Sequence, residues 1–216
     1  MSEIKARARV QTTGEEIANA VSHGMGFLAA VAATPWLIMS AMRNGSASYV
    51  VGVSIFALTM MLMYMTSTLY HSLPGSRAKK ILRILDHNAI FLLIAGTYTP
   101  IALGVLSGGW GWTLFGLVWG LATAGIILKS FSGHKYHYIS MIIYVAMGWL
   151  VVIAAKPLFE AMPFAGIMWL LAGGLCYTGG IVFYRMKSVP YMHFVWHLFV
   201  VAGTVCHFVA ISKYGF

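Results

Sequence analysis

Seven long apolar runs dominate this chain, and they constrain its fold more than any other feature. A membrane-spanning helix needs about 20 mostly apolar residues. Seven stretches qualify, at 23–42, 49–72, 84–106, 110–129, 138–155, 163–184 and 191–212. Short connectors between them require neighbouring helices to run antiparallel. A β-barrel would show alternating strands of about ten residues, and these continuous runs do not alternate. The expected fold is all-α, an integral membrane bundle of seven transmembrane helices over 23–216. A segment at 1–22 precedes it, carrying a short amphipathic helix.

Composition supports the same class. Of 216 residues, 60% are apolar and only 9% are charged, against about 25% charged in soluble domains. So little charge cannot cover a water-facing surface, which excludes an ordinary soluble enzyme, a disordered chain and a nucleic-acid-binding domain. The net charge of +9 sits in connectors, so its partner is a membrane surface rather than nucleic acid. Cys176 and Cys206 lie inside apolar runs and form neither a disulfide framework nor a thiolate metal site. The first apolar run begins after Glu15, Glu16 and His23 and is long enough to span, unlike a signal peptide.

Local signals refine the spans. Thr13-Gly14-Glu15-Glu16 reads as a capping box, with Thr13 accepting from the backbone and Glu16 reaching back. Pro35 and Pro100 are expected to kink spans one and three. Gly116 and Gly120 form a GxxxG, and Gly173, Gly174, Gly179 and Gly180 crowd span six; small residues let helices approach closely. Trp110 and Trp112 fit an interfacial belt.

Basic residues set the orientation. Eleven lie on one side: Lys5, Arg7, Arg9, Arg77, Lys79, Lys80, Arg83, Lys129, Lys135, Arg185 and Lys187. Three lie on the other: Arg43, Lys156 and Lys213. This asymmetry predicts a cytoplasmic N-terminus and a C-terminus outside.

Ionisable groups inside spans are costly and mark function. Here they are few. Asn19 and His23 lead into span one, Ser67 and His71 end span two, Asp86 and His87 open span three, and His193 and His197 open span seven. Under the predicted topology these positions share one membrane depth near the cytoplasmic face. His193 and His197 are four residues apart, so both imidazoles leave one helix face and can chelate one ion. A third histidine would complete the three-ligand pattern of a catalytic zinc site, and His71 is the candidate. Asp86 would hydrogen-bond the remaining water or orient a ligand. His207 lies ten residues beyond His197, about 15 Å along a helix, too far to share the ion. His134 and His137, near a connector, read as solvated or interfacial.

Each residue also has a plain structural reading. Helical histidines often hydrogen-bond neighbouring helices. Asp86 suits the positive end of a helix dipole, Ser67 can bond its own backbone, and Asn19 and His23 can bridge helices. Three histidines and one acid at one depth favour a metal site when taken together.

The motifs Glu15-Glu16-Ile17-Ala18-Asn19 with His23, Ser67-Thr68-Leu69-Tyr70-His71, Leu85-Asp86-His87-Asn88, Gly96-Thr97-Tyr98-Thr99-Pro100 and His193-Phe194-Val195-Trp196-His197 occur in that order across seven spans. As a set they resemble the bacterial hemolysin III proteins, a branch of the progestin and adipoQ receptor family. The resemblance implies a multi-pass protein of the bacterial inner membrane with an intramembrane Zn2+ site. His71, His193 and His197 would be ligands, Asp86 would reach the metal through water, and Ser67 would lie nearby. Asn19, His23 and His87 would be supporting residues. The family's likeness to alkaline ceramidases suggests hydrolysis of a lipid amide. Hormone-receptor activity is not implied, because the chain has no long N-terminal cytoplasmic domain.

Three functions follow as expectations. The first is a zinc hydrolase of a ceramide-like membrane lipid, acting through a zinc-bound water with Asp86 and Ser67 catalytic. The second is a non-catalytic regulator or sensor of membrane homeostasis in which zinc is a structural clamp. The third is a hemolysin-like cytolytic protein, for which the spans carry few polar residues to line a path. A proton or ion transporter lacks an acidic partner for Asp86 deeper in the bundle.

Overall fold

The structure is a computed structural model that describes residues 9–106, 108–132 and 137–215, without the side chains of Ser132 and His137. Lys5, Arg7, His134, Lys135 and the His137 ring therefore lie outside the described residues. The helices are α1 (Thr13–Asn44), α2 (Ala47–Ser72), α3 (Arg77–Pro100), α4 (Gly108–Ser132), α5 (His137–Gly148), α6 (Ala155–Ala161), α7 (Phe164–Arg185) and α8 (Met192–Tyr214). A π-helical turn, Ile101–Leu106, extends α3, and a 3₁₀ turn, Leu150–Ala154, joins α5 to α6. No strand occurs among the described residues. Seven helical segments are long and apolar enough to cross a membrane, and the chain is an integral, multi-pass membrane protein.

Polar caps explain where the helices begin. Ser46 caps α2 by accepting from the Tyr49 N–H at 3.2 Å, and Ser76 caps α3 by accepting from the Lys79 N–H at 3.1 Å. The capping box of α1 is one residue earlier than the sequence suggests. Thr12, in extended geometry at φ −74° and ψ 163°, is the N-cap, and Glu15 is its reciprocal partner. Thr13 is already helical, and Glu16 is left for another contact. Among the described residues the helix that starts at Thr13 is continuous with the first span: α1 runs unbroken for 32 residues.

Packing centres on α2 and α3. Their most apolar windows are 56% and 61% buried, whereas the other five lie between 17% and 33% and present more surface to lipid. Phe56, Met60, Met63 and Tyr64 of α2 pack with Leu37 and Val200 in one core. Phe91 and Ala95 of α3 pack with Leu114, Val118 and Met147 in another. Lipid tails remove the hydrophobic drive between helices, so close approach and hydrogen bonds carry association. At Gly52 an added Cβ would stand 2.6 Å from Pro100 Cα, so α2 and α3 meet backbone to backbone. Gly173 and Gly180 pack against α8 as expected, but Gly116 and Gly120 meet nothing within 4 Å. The GxxxG therefore does not join helices within this chain. Trp110 and Trp112 are exposed on the bundle surface.

Span five breaks after Gly148, and the break is satisfied internally. Tyr98 Oη donates to the Gly148 carbonyl at 2.9 Å and accepts from the Val151 N–H at 3.0 Å. Non-helical backbone at membrane depth needs such partners. The span then continues to Ala161, beyond the expected end at 155.

Candidate metal centre

The end of α2 and the start of α8 come together at one end of the bundle. His71, His193 and His197 each present a ring nitrogen, and these atoms lie within 4.8 Å of one another. Ring centroids stand 4.8 Å apart for His193–His197, 5.1 Å for His71–His197 and 5.2 Å for His71–His193. The helical spacing that singled out His193 and His197 is what places both rings on one face. His71 and His197 are buried and His193 is partly buried. This triad could hold a metal ion.

Hydrogen bonds orient two of the rings. His71 Nδ1 lies 2.7 Å from Glu16 Oε2, and Glu16 Oε1 accepts from Lys79 Nζ at 2.8 Å. His197 Nδ1 lies 3.2 Å from the Asn19 carbonyl oxygen and 3.1 Å from Ser22 Oγ. A carbonyl only accepts, so His197 carries its proton on Nδ1 and keeps the Nε2 lone pair free. The Glu16 carboxylate fixes His71 in the same sense. His71 Nε2 and His197 Nε2 are buried with no hydrogen-bond partner among the described residues. Buried acceptors left unpaired are costly, and two of them directed into a histidine triad fit a bound cation. Two neutral imidazole donors fixed in this way suit zinc chemistry.

α1 supplies most of this support. Glu15 is buried, pairs with Arg9, and accepts from the backbone N–H of Tyr191 at 2.8 Å. Tyr191 has a left-handed backbone at φ 62° and starts α8 two residues before His193. Glu15 thus fixes the entry of the helix that carries two of the three histidines. Asn19 Nδ2 donates to Gln11 at 3.0 Å and lies 3.5 Å from His71 Nδ1. His23 stacks on His197 at 3.6 Å with an interplanar angle of 10°.

The remaining sequence candidates fall around this group without joining it. Asp86 is buried nine residues into α3, which begins at Arg77, so it does not cap that helix, and Ser67 lies beside its carboxyl. The Ser67 hydroxyl makes no hydrogen bond of good geometry. His87 donates from Nδ1 to the Arg83 carbonyl within its own helix at 2.6 Å. His207 is distant, with Nε2 donating to the Leu170 carbonyl at 3.2 Å. Sequence reasoning missed Glu16, assigned to a cap, and Ser22. Their signal was the polar face of α1 at 15, 16, 19, 22 and 23, which repeats at helical spacing.

A cavity of about 520 Å³ opens from the triad into the bundle. His71, Asp86 and His193 line its polar end, and Leu93, Ile94, Trp196 and Val200 line the apolar part towards His207.

The chain matches the haemolysin-III-related family over residues 11–208. It is 44% identical to the hemolysin-3 homolog of Bacillus subtilis (strain 168) over 203 residues, covering 94% of this chain and 95% of that protein. It is 42% identical to hemolysin-3 of Bacillus cereus over 210 residues, covering 97% and 96%. A more distant relative is the human monocyte to macrophage differentiation factor, 26% identical over 170 residues, or 74% of this chain and 68% of that protein. No solved structure matches. With near-complete coverage at this identity, the chain belongs to the haemolysin-III-related family, a branch of the progestin and adipoQ receptor family.

Proposed function

We propose that this protein is a zinc-dependent hydrolase of a ceramide-like lipid amide in the bacterial inner membrane. The observation that carries this reading is a triad of three clustered histidines, two with Nε2 atoms unpartnered among the described residues, of which His71 and His193 line one largely apolar cavity together with the buried Asp86. The triad would hold the ion, His71 through the support of Glu16 and His197 through Asn19 and Ser22. When bound, zinc supplies Lewis acidity towards an amide carbonyl and towards water. Asp86 accepts the proton that water gives up as it attacks the carbonyl carbon, and returns it to the departing nitrogen. Ser67, whose hydroxyl stands beside Asp86, donates to the developing oxyanion. The apolar walls hold the acyl chain and keep bulk water away from the reacting group. In the orientation inferred from the basic residues, this end faces the cytoplasm.

A second reading has its own support. His71 comes from α2 while His193 and His197 come from α8, and these two helices are not principal packing partners of each other. An ion here would tie them together, as in a structural clamp.

Asp86→Asn separates the readings. Purified protein carrying this change should keep its zinc and its fold but lose fatty-acid release from ceramide by at least about 100-fold, the scale expected for a lost general base. Retained function in a cell-based assay with zinc in place would favour the clamp. Wild-type protein that retains zinc and releases no fatty acid from any ceramide-like substrate would contradict the hydrolase.

A further inference from the structure

Lys129, near the end of α4, is 2% exposed, and its Nζ has no hydrogen-bond partner among the described residues. It lines the same cavity as His71 and His193. Its electrostatic neighbours are Arg83, of α3, and Lys187, in the turn after α7. Both of these are exposed at the cavity mouth and also line it. Three basic residues from three different elements therefore line one cavity, with Arg83 and Lys187 in electrostatic range of Lys129.

Little on the chain balances them. The chain has only five acids. Glu15 is paired with Arg9, and Glu16 with Lys79 and His71. Glu160 belongs to α6 at the opposite end of the bundle. Glu3 lies outside the described residues, and among the described ones Asp86, within electrostatic range of Arg83, is the remaining carboxylate. Among the described residues no carboxylate forms an ion pair with Lys129, Arg83 or Lys187. A buried ammonium without a counter-charge is strongly disfavoured. An anion from outside the chain would supply the missing counter-charge and keep the ammonium charged. Lysine as a point charge and arginine as a planar fork together suit a phosphate group. The cavity leads from these cations into a long apolar interior, which suits an acyl chain.

We propose that Lys129, Arg83 and Lys187 form a phosphate-binding subsite at the mouth of the cavity, seating the headgroup phosphate of an anionic lipid whose acyl chain lies along the cavity. The recognised group is the phosphate. The subsite uses none of the three histidines, although Lys187 stands within electrostatic range of His193, and its occupancy does not depend on turnover.

The test uses the purified full-length protein in neutral detergent with three probes: dioleoylphosphatidylglycerol, dioleoylglycerol and inorganic phosphate. None has an amide, so the outcome is independent of the hydrolase reading. The phosphatidylglycerol should bind at least about tenfold more tightly than dioleoylglycerol, the scale of one charge-assisted hydrogen bond. Lys129→Met should remove that preference while leaving dioleoylglycerol binding unchanged, and Lys129→Arg should restore most of it. Lys80→Gln removes an exposed charge from a residue that does not line the cavity and should change nothing. If Lys129→Met does not fold, the double variant Arg83→Gln/Lys187→Gln, at two exposed positions, carries the same expectation. Equal binding of the two lipids overturns the proposal, as does an equal loss in Lys80→Gln. Lys129-dependent binding of inorganic phosphate without any preference for the phosphatidylglycerol overturns the lipid assignment.

Discussion

Glu16 and His71, 55 positions apart, meet through a 2.7 Å contact between a carboxylate oxygen and Nδ1. This links the first turns of α1 to the last turn of α2 and leaves the lone pair of His71 Nε2 unused among the described residues. Carboxylates placed behind metal-binding histidines raise ligand basicity and fix the ring. Glu16→Gln is therefore expected to weaken zinc affinity by about 10–100-fold with the fold intact. Competition with a chromophoric chelator measures it, and an unchanged affinity would remove Glu16 from the site.

Metal removal should destabilise the bundle by linkage. An ion that binds only the folded state at 100 times its dissociation constant contributes about 2.7 kcal/mol. Chelation of the wild type should lower the thermal midpoint in detergent. His197→Ala should abolish the dependence of that midpoint on added zinc.

The meeting of α2 and α3 at Gly52 predicts a contrast between two glycines. An added Cβ at Gly52 would stand 2.6 Å from Pro100 Cα, while one at Gly116 meets nothing within 4 Å. Gly52→Val should cost about 1–3 kcal/mol or more by overpacking. Gly116→Val should leave the unfolding of the monomer nearly unchanged. Urea or thermal unfolding of both variants decides it.

Tyr98 holds the broken backbone of span five with two hydrogen bonds. Tyr98→Phe leaves the Gly148 carbonyl and the Val151 N–H without this partner, at a cost of about 1–3 kcal/mol. Faster amide exchange at Val151 should accompany the loss. Exchange equal to the wild type would mean that other groups satisfy the break.

Much of this architecture could be read before any coordinates. Span positions are local properties of apolar run length, so all seven were legible, although α1 and α3 begin earlier than the hydrophobic runs. There, polar turns from Thr13 and Arg77 continue helices that side-chain caps have already started. The grouping of His71, His193 and His197 was legible because antiparallel spans fix which ends share a depth. Adjacent threonines at 12 and 13 hid the register of the cap. That one-residue error also concealed Glu16, whose partner lies in another helix. The GxxxG spacing shows that two glycines share a face, not which face meets a helix. The break after Gly148 leaves no mark in hydropathy, because Tyr98, on a different span, satisfies it.

Zinc-edge X-ray absorption of the purified, metal-loaded protein tests the central claim most directly. The account predicts scattering from three imidazoles, falling to two or to no bound metal in His71→Ala, His193→Ala and His197→Ala alike. A spectrum without histidine ligands, or one that the three substitutions leave unchanged, would contradict it.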